Sequence, residues 1–334
     1  MSKLRICILS EANGEQPQAT GRARPKRRKR AKEDREQIFD ILKKADHDPY
    51  FHVLDGEPAS LLSLAKIDAD LVFNLTESYG GDDTKEMNVG AFLELLGLRF
   101  TGAGPQGLYL AQDKAIAKKL LAFHGIHTPY FATGYRGRLE WSHDIQFPLI
   151  VKPALEDGSI GIRFNAVVHS VKDLMQRIDE IHAEFDSPVL IEEYIEGREI
   201  YVGVLGNANA EALPIIELDL SQLPEGTPRV AGTEVKWEEG TEIYKATQLF
   251  FPEDLPADVV EQIQKTAVSA FQVLKLRDYG RIDVRLTPEG KIYVLEVNPN
   301  PWLLSSAEFA RAARKAGRSH PQMIQDIVDL AMSR

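Results

Sequence analysis

The sequence predicts an α/β fold. In the first part of the chain, short apolar runs of strand type alternate with helical patterns, which is typical of a parallel sheet. The same alternation continues through the middle of the chain. Near the C-terminus, two runs rich in Ile, Val, Tyr and Leu flank a turn within residues 279–298, and this pattern predicts a β-hairpin.

Length and composition indicate an ordinary globular protein. The chain has 334 residues, enough for two or three domains, and 43% of them are hydrophobic while 27% are charged. A net charge of −10 argues against general binding of nucleic acid. The N-terminus lacks an apolar secretory signal, and no stretch approaches the roughly 20 apolar residues of a membrane helix. Cys7 lies in an apolar run, which predicts a buried thiol, excludes an internal disulfide and suits a cytoplasmic protein.

The N-terminal elements follow from their periodicity and caps. Predicted strands lie at residues 4–10, 50–54 and 70–75, and predicted helices lie at 31–45, 58–65, 84–96 and 114–124, the last capped by Asp113. A strongly basic segment, residues 22–30, precedes the first helix. It is interpreted as a solvated loop, with a loop that attracts an anionic substrate as an alternative; the acidic remainder disfavours a nucleic-acid arm.

The middle of the chain carries features of a phosphate site. A strand at residues 147–153 ends in Lys152 and Pro153, and a small Gly- and Ser-containing loop at 156–161 follows it. Backbone N–H groups of such a loop can fold over phosphates, and a lysine adds a point charge, although a lone lysine is usually solvated. The later predicted elements are strands at 167–168, 189–195 and 197–205, a loop at 220–241, and helices at 171–185, 258–274, 307–316 and 321–332.

The C-terminal hairpin places apolar and charged residues on opposite faces. If Thr287, Pro288, Glu289 and Gly290 form the loop, Leu286 faces Lys291 and Arg281 faces Glu296. The predicted apolar face consists of Ile282, Val284, Leu286, Tyr293, Leu295 and Val297. The other face carries Arg281, Asp283, Glu296 and Asn298, interrupted by Val294. Two carboxylates and an amide oxygen suit Mg²⁺, and an arginine beside them can meet a phosphate; the alternative is a solvated charged face.

Ten short motifs from Asp70 to the C-terminus resemble those of one known family. They are Asp70-Leu71-Val72-Phe73-Asn74 with Gly80-Gly81-Asp82-Asp83, Phe100-Thr101-Gly102-Ala103-Gly104, Asp113-Lys114, Val151-Lys152-Pro153 with Gly158-Ser159-Ile160-Gly161, Ile191-Glu192-Glu193-Tyr194-Ile195, Gly197-Arg198-Glu199, Gly280-Arg281-Ile282-Asp283-Val284 and Leu295-Glu296-Val297-Asn298. In order and spacing this set resembles the ATP-grasp superfamily, and within it the D-alanine–D-alanine ligase group. The resemblance covers about four-fifths of the chain.

The resemblance implies an architecture of three domains. A Rossmann-like parallel-sheet domain would occupy residues 1–112, and the two α+β lobes of the ATP-grasp fold would occupy 113–197 and 198–334. ATP would lie between the two lobes. A homodimer is what the family suggests, and the partners would otherwise be small amino-acid or peptide substrates, with no nucleic acid and no membrane.

The resemblance also implies roles for individual residues. Lys114 and Lys152 would bind phosphates, Glu192 with the backbone of Glu193, Tyr194 and Ile195 would hold adenine beside Leu295, and Glu199 would hold the ribose. Gly158, Ser159, Ile160 and Gly161 would close over the triphosphate, and Lys236 would reach the γ-phosphate. Asp283, Glu296 and Asn298 would carry two Mg²⁺ ions, or Mn²⁺, and Arg281 would stabilise the tetrahedral intermediate.

The amino-acid half of the site departs from the family pattern. Trp302 stands where the family has a glycine, Ala307 where it has the carboxylate-binding serine, and Trp237 where it has a tyrosine after the loop lysine. The phosphate-loop serine nearest the substrate is replaced by Gly158. The N-terminal Gly-Gly-x-Ser-x-Glu signature is missing, and Ser10-Glu11-Ala12 stands in its place. The candidate substrate contacts are Glu11, Trp237, Trp302, Ser305 and Ser306.

The chemistry implied by the resemblance is carboxylate–amine ligation. ATP would phosphorylate a carboxylate, an amine would attack the acylphosphate, and phosphate would leave. Three interpretations remain open at this point. They are a ligase that acts on something other than two D-alanines, a true D-alanine–D-alanine ligase with a divergent pocket, and an ATP-binding protein without catalysis.

Overall fold

The computed structural model describes residues 3–12, 28–136, 138–141, 146–156, 158–185, 187–238 and 240–334. The strands are β1 (Arg5–Glu11), β2 (Asp48–Leu54), β3 (Leu71–Asn74), β4 (Phe131–Tyr135), β5 (Arg138–Trp141), β6 (Leu149–Pro153), β7 (Val167–Val168), β8 (Val189–Glu193), β9 (Arg198–Leu205), β10 (Glu211–Ala212), β11 (Ile216–Asp219), β12 (Gln248–Phe250), β13 (Tyr279–Leu286) and β14 (Ile292–Pro299). The helices are α1 (Arg28–Lys44), α2 (Pro58–Ser63), α3 (Glu86–Leu95), α4 (Pro105–Gln112), α5 (Lys114–Phe123), α6 (Val171–Glu184), α7 (Thr233–Lys236), α8 (Glu242–Ala246), α9 (Ala257–Val273), α10 (Glu308–Lys315) and α11 (His320–Met332). The basic segment at 22–30 lies outside the described residues as far as residue 27.

The N-terminal strands form a parallel sheet in the order β2-β1-β3, as the alternation of strands and helices predicts. The sheet is covered on both faces. Ile6 and Ile8 of β1 pack into a core shared with α1 and α11, whereas Cys7 and Leu9 pack toward α3. The predicted burial of Cys7 is confirmed, and burial raises the pKa of its thiol to about 11.

A second, antiparallel sheet has the order β5-β4-β8-β6-β7 and carries α6 on one face. Strands β4 and β5 were not predicted from the sequence. The predicted strands at 147–153, 167–168 and 189–195 correspond to β6, β7 and β8, and the predicted helix at 171–185 corresponds to α6. This sheet supplies Lys152 and Glu192 from adjacent strands, because β6 and β8 pair with Ile150 opposite Glu192.

The third sheet is antiparallel, in the order β12-β11-β9-β13-β14, with β10 added to β9. Helix α9 packs on its apolar face together with α4 and α5, which contribute Leu108 and Leu121 to the same core. The predicted loop at 220–241 is interrupted by the short helix α7. No helix in the described part of the chain is both long and apolar enough to cross a bilayer.

The register of the C-terminal hairpin differs from the prediction. Leu286 pairs with Ile292 and Arg281 pairs with Asn298, so the predicted pairs with Lys291 and Glu296 are wrong. The reason is the length of the turn: the last ladder pair is Leu286 with Ile292, so five residues, 287–291, connect the strands, with Thr287 N donating to Lys291 O at 2.9 Å and Gly290 at a positive φ of 81°. This loop adds one residue to the turn that the sequence suggests.

A β-bulge then restores the predicted faces on the far half of the hairpin. The register shifts between Asp283 and Val284, so that Leu295 is the additional residue on β14. Val294 pairs with Val284 and is fully buried in the core, so it does not lie on the charged face where the prediction placed it. Tyr293, which was predicted on the apolar face, is only half-buried. Beyond the bulge, Asp283 lies directly opposite Glu296.

The chain changes from one sheet to another between β8 and β9, near residue 197. Strand β8 belongs to the five-stranded sheet and β9 to the six-stranded sheet. At residue 112 the boundary falls between α4 and α5. Both helices pack into the core of the six-stranded sheet, and the division into domains at residues 112 and 197 stays a proposal.

Candidate active site

The candidate site lies where the five-stranded sheet, the six-stranded sheet and α5 meet. At its centre, the carboxylate of Glu192 on β8 bridges two lysines, Lys118 at 2.9 Å and Lys152 at 3.0 Å. All three side chains are buried. Burial alone would raise the pKa of Glu192, but the two ammonium groups hold that pKa below its ordinary value. Glu192 is therefore an ionised bridge that fixes Lys152 in the site.

Lys118 is a site residue that sequence reasoning missed. Its ammonium also donates to Leu295 O at 3.2 Å, so it joins α5 to β8 and to the bulge of β14. Burial lowers its pKa, although Glu192 opposes the shift. A signal was available: Lys118 lies four residues after Lys114 on a helix, and residues at that spacing share a face.

Lys114 connects the start of α5 to the C-terminal hairpin. It is the first helical residue, and Asp113 caps the helix by accepting from the backbone N–H groups of Ala115 and Ile116. The Lys114 ammonium lies 2.8 Å from Glu296 Oε1. Burial would raise the pKa of Glu296, but the charges of Lys114 and Lys152 lower it to about 2. Glu296 is thus a carboxylate at every pH near neutrality.

Arg281 and Asp283 form a bidentate ion pair on the polar face of the hairpin. Arg281 Nε and Nη2 donate to the two oxygens of Asp283 at 2.7 and 2.9 Å. Burial raises the pKa of Asp283, against the opposing charge of Arg281. Asn298, opposite Arg281, donates from Nδ2 to the Arg281 carbonyl at 3.4 Å. Because the amide nitrogen makes this contact, the amide oxygen of Asn298 is the atom left for a metal.

The donor set of this face fits the predicted magnesium ions. Asp283 and Glu296 are cross-strand neighbours, and Asn298 lies two residues further along β14. Within the described ranges no three His, Cys, Asp or Glu side chains cluster as a metal site, so the ions would complete their shells with water and phosphate, as Mg²⁺ usually does. Both carboxylates are already ion-paired, with Arg281 and Lys114. A metal fits best together with an anion that engages those two cations.

The loop after β6 is held against the segment that carries Lys236. Gly158, Ser159 and Gly161 all have positive φ values. Ser159 Oγ donates to Ala231 O at 2.8 Å, and Trp237 Nε1 donates to Gly158 O at 2.9 Å. On the other side, the buried guanidinium of Arg177 donates to Gly161 O. The predicted phosphate loop, residues 158–161, and the segment 231–237 that carries Lys236 therefore form one layer, called the covering layer below.

The predicted nucleotide residues lie along the junction of the two sheets. Glu193 N donates to Tyr130 O and Tyr194 N to Pro148 O, which fixes this backbone. Ile160 and Ile195 are half-buried, and Leu295 is the residue of the β14 bulge. Glu199 is buried, and its two oxygens accept from Arg285 at 2.7 Å and from the Tyr201 hydroxyl at 3.0 Å. Arg285 and Tyr201 were not predicted.

A separate pocket lies between the N-terminal sheet and the end of β14. The described residues that line it include Glu11, Asn74, Glu77, Arg35, Asn300 and Trp302. Burial, and after it the charge of Glu77, raises the pKa of Glu11 to about 8. Asn74 is buried, and its Nδ2 has no hydrogen-bond partner among the described residues. This pocket combines carboxylates with an unpartnered amide donor.

Trp302 joins this pocket to the covering layer. Its Nε1 donates to Glu77 Oε1 at 2.5 Å, and its ring meets that of Trp237 edge to face, with centroids 5.3 Å apart. Ser305 and Ser306 are not among the described lining residues; Ser305 N donates to Gln37 Oε1, and Ser306 is exposed. Glu77 is a pocket residue that the sequence analysis did not single out.

The chain is similar in sequence to several known proteins. The family described as "D-ala D-ala ligase C-terminus" matches residues 133–329. A D-alanine–D-alanine ligase of Bordetella petrii is 35% identical over 84% of this chain and 81% of its own length. The uncharacterized protein y4sG of Sinorhizobium fredii is also 35% identical, over 79% of this chain and 75% of its own length.

Solved structures show the same fold. The D-alanine–D-alanine ligase of Bacillus anthracis complexed with ATP superposes with a TM-score of 0.75 at 22% identity, covering 99% of this chain and 98% of that one. A D-Ala:D-Ser ligase of Enterococcus faecalis gives a TM-score of 0.74 at 21% identity, covering 99% of this chain and 100% of that one.

Proposed function

The chain belongs to the D-alanine–D-alanine ligase family of ATP-dependent ligases that form C–N bonds, and we propose that it joins a carboxylate substrate to an amine substrate in a pair other than two D-alanines. One observation carries the proposal. The phosphate lysines Lys114 and Lys152 and the hairpin residues Arg281, Asp283 and Glu296 converge on a single buried site. Cations that could receive a triphosphate thus adjoin the carboxylates that could hold its metal.

In the proposed reaction the chain's own residues position charge. Lys114, Lys152 and Lys236 would contact phosphate oxygens, and Asp283, Glu296 and Asn298 would hold Mg²⁺, which supplies Lewis-acid polarisation of the transferred phosphoryl group when bound. Arg281, freed from part of its pairing with Asp283, would face the oxyanion that forms when the amine attacks the acylphosphate. The layer of residues 158–161 and 231–237 would exclude water, which would otherwise hydrolyse the acylphosphate.

The pocket beside Glu11 supports an amino-acid or peptide substrate. Glu11 and Glu77 are adjacent carboxyl groups, with Glu77 N donating to both Glu11 oxygens at 3.3 and 3.2 Å, and a protonated amine beside them would stabilise the ionised form of Glu11 that burial and Glu77 disfavour. Asn74 Nδ2 would donate to an oxygen of the same substrate. This arrangement favours a substrate that carries an ammonium group over a purely anionic one.

Trp302 and Trp237 support a substrate different from two D-alanines. Each indole N–H is already committed, to Glu77 and to Gly158 O. Neither indole is therefore a spare hydrogen-bond donor for a second carboxylate, and the Trp302 ring, which packs against Trp237, offers apolar surface to the pocket. A homodimer, as the family resemblance suggests, is part of the same proposal.

The proposal is tested by phosphate release from Mg·ATP against a panel of D- and L-amino acids, small dipeptides and acidic carboxylates, with products weighed by mass spectrometry. One carboxylate–amine pair should yield ADP, phosphate and a product lighter by one water than the two substrates together. Lys236→Ala should lower kcat by about a hundredfold or more, since it removes a cation from the transferred phosphoryl group. Lys245→Ala, an exposed lysine of the neighbouring helix, is the matched control.

A second candidate function is that of the curated relatives. If D-alanine alone supports phosphate release and a dipeptide product, the chain is a D-alanine–D-alanine ligase and the inference from Trp302 is wrong. Binding of ATP with no turnover on any pair would instead favour a nucleotide-binding protein without catalysis.

A further inference from the structure

Tyr201 contacts two cations of the proposed site, Lys236 and Arg281, although the proposed chemistry does not use it. It is a buried residue of β9, 3% exposed, and pairs across the sheet with Asp283. The Lys236 ammonium is 5.5 Å from the centroid of its ring, and the Arg281 guanidinium carbon is 5.1 Å from the same centroid. Both distances fall within the range of a cation–π contact, which is about 6 Å.

A ring is a suitable neighbour for two cations that must stay available to an anion. Lys236 and Arg281 carry like charges, and without a stabilising group between them they would repel each other. A carboxylate in place of the ring would attract both cations but would also neutralise them and repel phosphate. The face of an aromatic ring attracts cations through its quadrupole and carries no net charge. The Tyr201 ring can therefore hold both groups in place without adding a further carboxylate to that of Asp283, which already pairs with Arg281.

The hydroxyl of Tyr201 makes a different connection. It donates to Glu199 Oε1 at 3.0 Å, while Arg285 donates to Glu199 Oε2 at 2.7 Å. Glu199 is the carboxylate proposed to hold the ribose. The same side chain thus contacts the nucleotide side of the site through oxygen and the phosphoryl-transfer side through its ring.

We propose that Tyr201 is a positioning residue for the ligation reaction, whose ring orients Lys236 and Arg281 for transfer and whose hydroxyl orients Glu199 for the nucleotide. The inference rests on the proposed function, because the roles of these three residues belong to it. The proposal gives the hydroxyl and the ring of Tyr201 different roles, and two substitutions can remove these groups one after the other. Tyr201→Phe removes only the hydroxyl, and Tyr201→Leu removes the ring as well.

The test measures nucleotide binding and turnover separately. Affinity for the magnesium complex of a non-hydrolysable ATP analogue is measured by calorimetry, and kcat by phosphate release with the substrate pair of the wild-type protein. Tyr201→Phe should weaken analogue binding about fivefold and leave kcat within roughly twofold of wild type. Tyr201→Leu should weaken binding equally and lower kcat by roughly tenfold. Leu220→Ala, in the same apolar cluster as Tyr201, is the control for packing and should change neither quantity beyond about twofold.

The outcomes separate this inference from the proposed function. Wild-type kcat in Tyr201→Leu would overturn it, as would equal losses of kcat in Tyr201→Phe, Tyr201→Leu and Leu220→Ala, which would indicate packing alone. If a variant does not fold, as judged by circular dichroism, Tyr201→Phe keeps the ring and still tests the hydroxyl. If the wild-type protein binds the analogue but turns over no substrate pair, the proposed ligase function fails, and unchanged affinity in Tyr201→Phe would overturn the hydroxyl's role independently.

Discussion

The carboxyl group of Glu11 is held in an environment that favours its protonated form. It is half-buried beside Glu77, and its pKa of about 8 lies well above the ordinary value of 4.5. Between pH 4.5 and pH 8 the unfolded chain therefore has an ionised Glu11 while the folded chain keeps the proton. The folded state binds more protons over this range, so this group makes the free energy of unfolding fall as pH rises, and the loss is complete above pH 8.

Substitution of Glu11 by Gln should remove this pH dependence. The amide cannot ionise, so the free energy of unfolding of Glu11→Gln, relative to that of wild type, should rise by on the order of 3 kcal/mol from pH 5 to pH 8. Urea denaturation at both pH values measures the change, and Glu57→Gln, at an exposed carboxylate, should leave the slope as it is. Parallel pH profiles for wild type and Glu11→Gln would contradict the prediction. The same variant should bind the amine substrate more weakly, because stability and recognition oppose each other at this residue.

Among the elements, the C-terminal hairpin shows what sequence reasoning can and cannot reach. Alternation of apolar and polar residues correctly assigns Asp283, Glu296 and Asn298 to one face, because one side of the sheet must be buried. The same reasoning misplaces Val294, because the loop residue Lys291 and the bulge at Leu295 each shift the register by one. The turn and the bulge depend on local backbone geometry. Two register shifts that change the pairing but together keep the polar residues on one face therefore leave no mark on composition or spacing.

Helix α5 shows a second limit of the same kind. Its bounds and its Asp113 cap follow from the sequence, since caps act within one turn. The contact between Lys118 and Glu192 joins residues 74 positions apart, and only the packing of α5 against β8 decides it. A lysine on a predicted helix is usually solvated, so the spacing of Lys118 from Lys114 indicates a shared face but not the burial of Lys118 or its partner.

Lys118 is expected to fasten α5 to both sheets. Lys118→Met keeps the length of the side chain but leaves Glu192 with Lys152 as its remaining cation and takes the ammonium donor from Leu295 O. The free energy of unfolding should fall by about 2–4 kcal/mol, because a buried charge loses a partner. Denaturation by urea measures it, with the exposed neighbour Lys119→Met as control. In the double variant Lys118→Met, Glu192→Gln the loss should be smaller than the sum of the two single losses; strict additivity would mean that the two residues are not coupled.

At the scale of the whole molecule, the sequence predicts the parts better than their arrangement. The parallel N-terminal sheet and most helices of that part were predicted because their patterns are local. Strands β4 and β5 were missed, and the position of α4 and α5 on the six-stranded sheet depends on contacts between distant segments. The candidate site is a product of that arrangement, since its charged residues come from α5, β6, β8, β13 and β14. Its motifs could be recognised one by one, but their ion pairs could not.

Those ion pairs predict how the whole protein responds to ligands. Without nucleotide, Glu296 is paired with Lys114 and Asp283 with Arg281, so Mg²⁺ alone must compete with two buried cations. Mg·ATP brings the metal together with phosphates that can engage the same cations, so metal and nucleotide should bind cooperatively.

The temperature of thermal unfolding should therefore respond to Mg·ATP and not to Mg²⁺ alone. Millimolar Mg²⁺ alone should raise Tm by less than about 1 °C, whereas Mg·ATP at a hundred times its Kd should add about 2.7 kcal/mol and raise Tm by roughly 2–4 °C. Asp283→Asn should reduce the part of the shift that requires Mg²⁺ while keeping the shift that ATP produces in EDTA. A shift by Mg²⁺ alone as large as that by Mg·ATP would show that the carboxylates are free to bind metal before the nucleotide arrives.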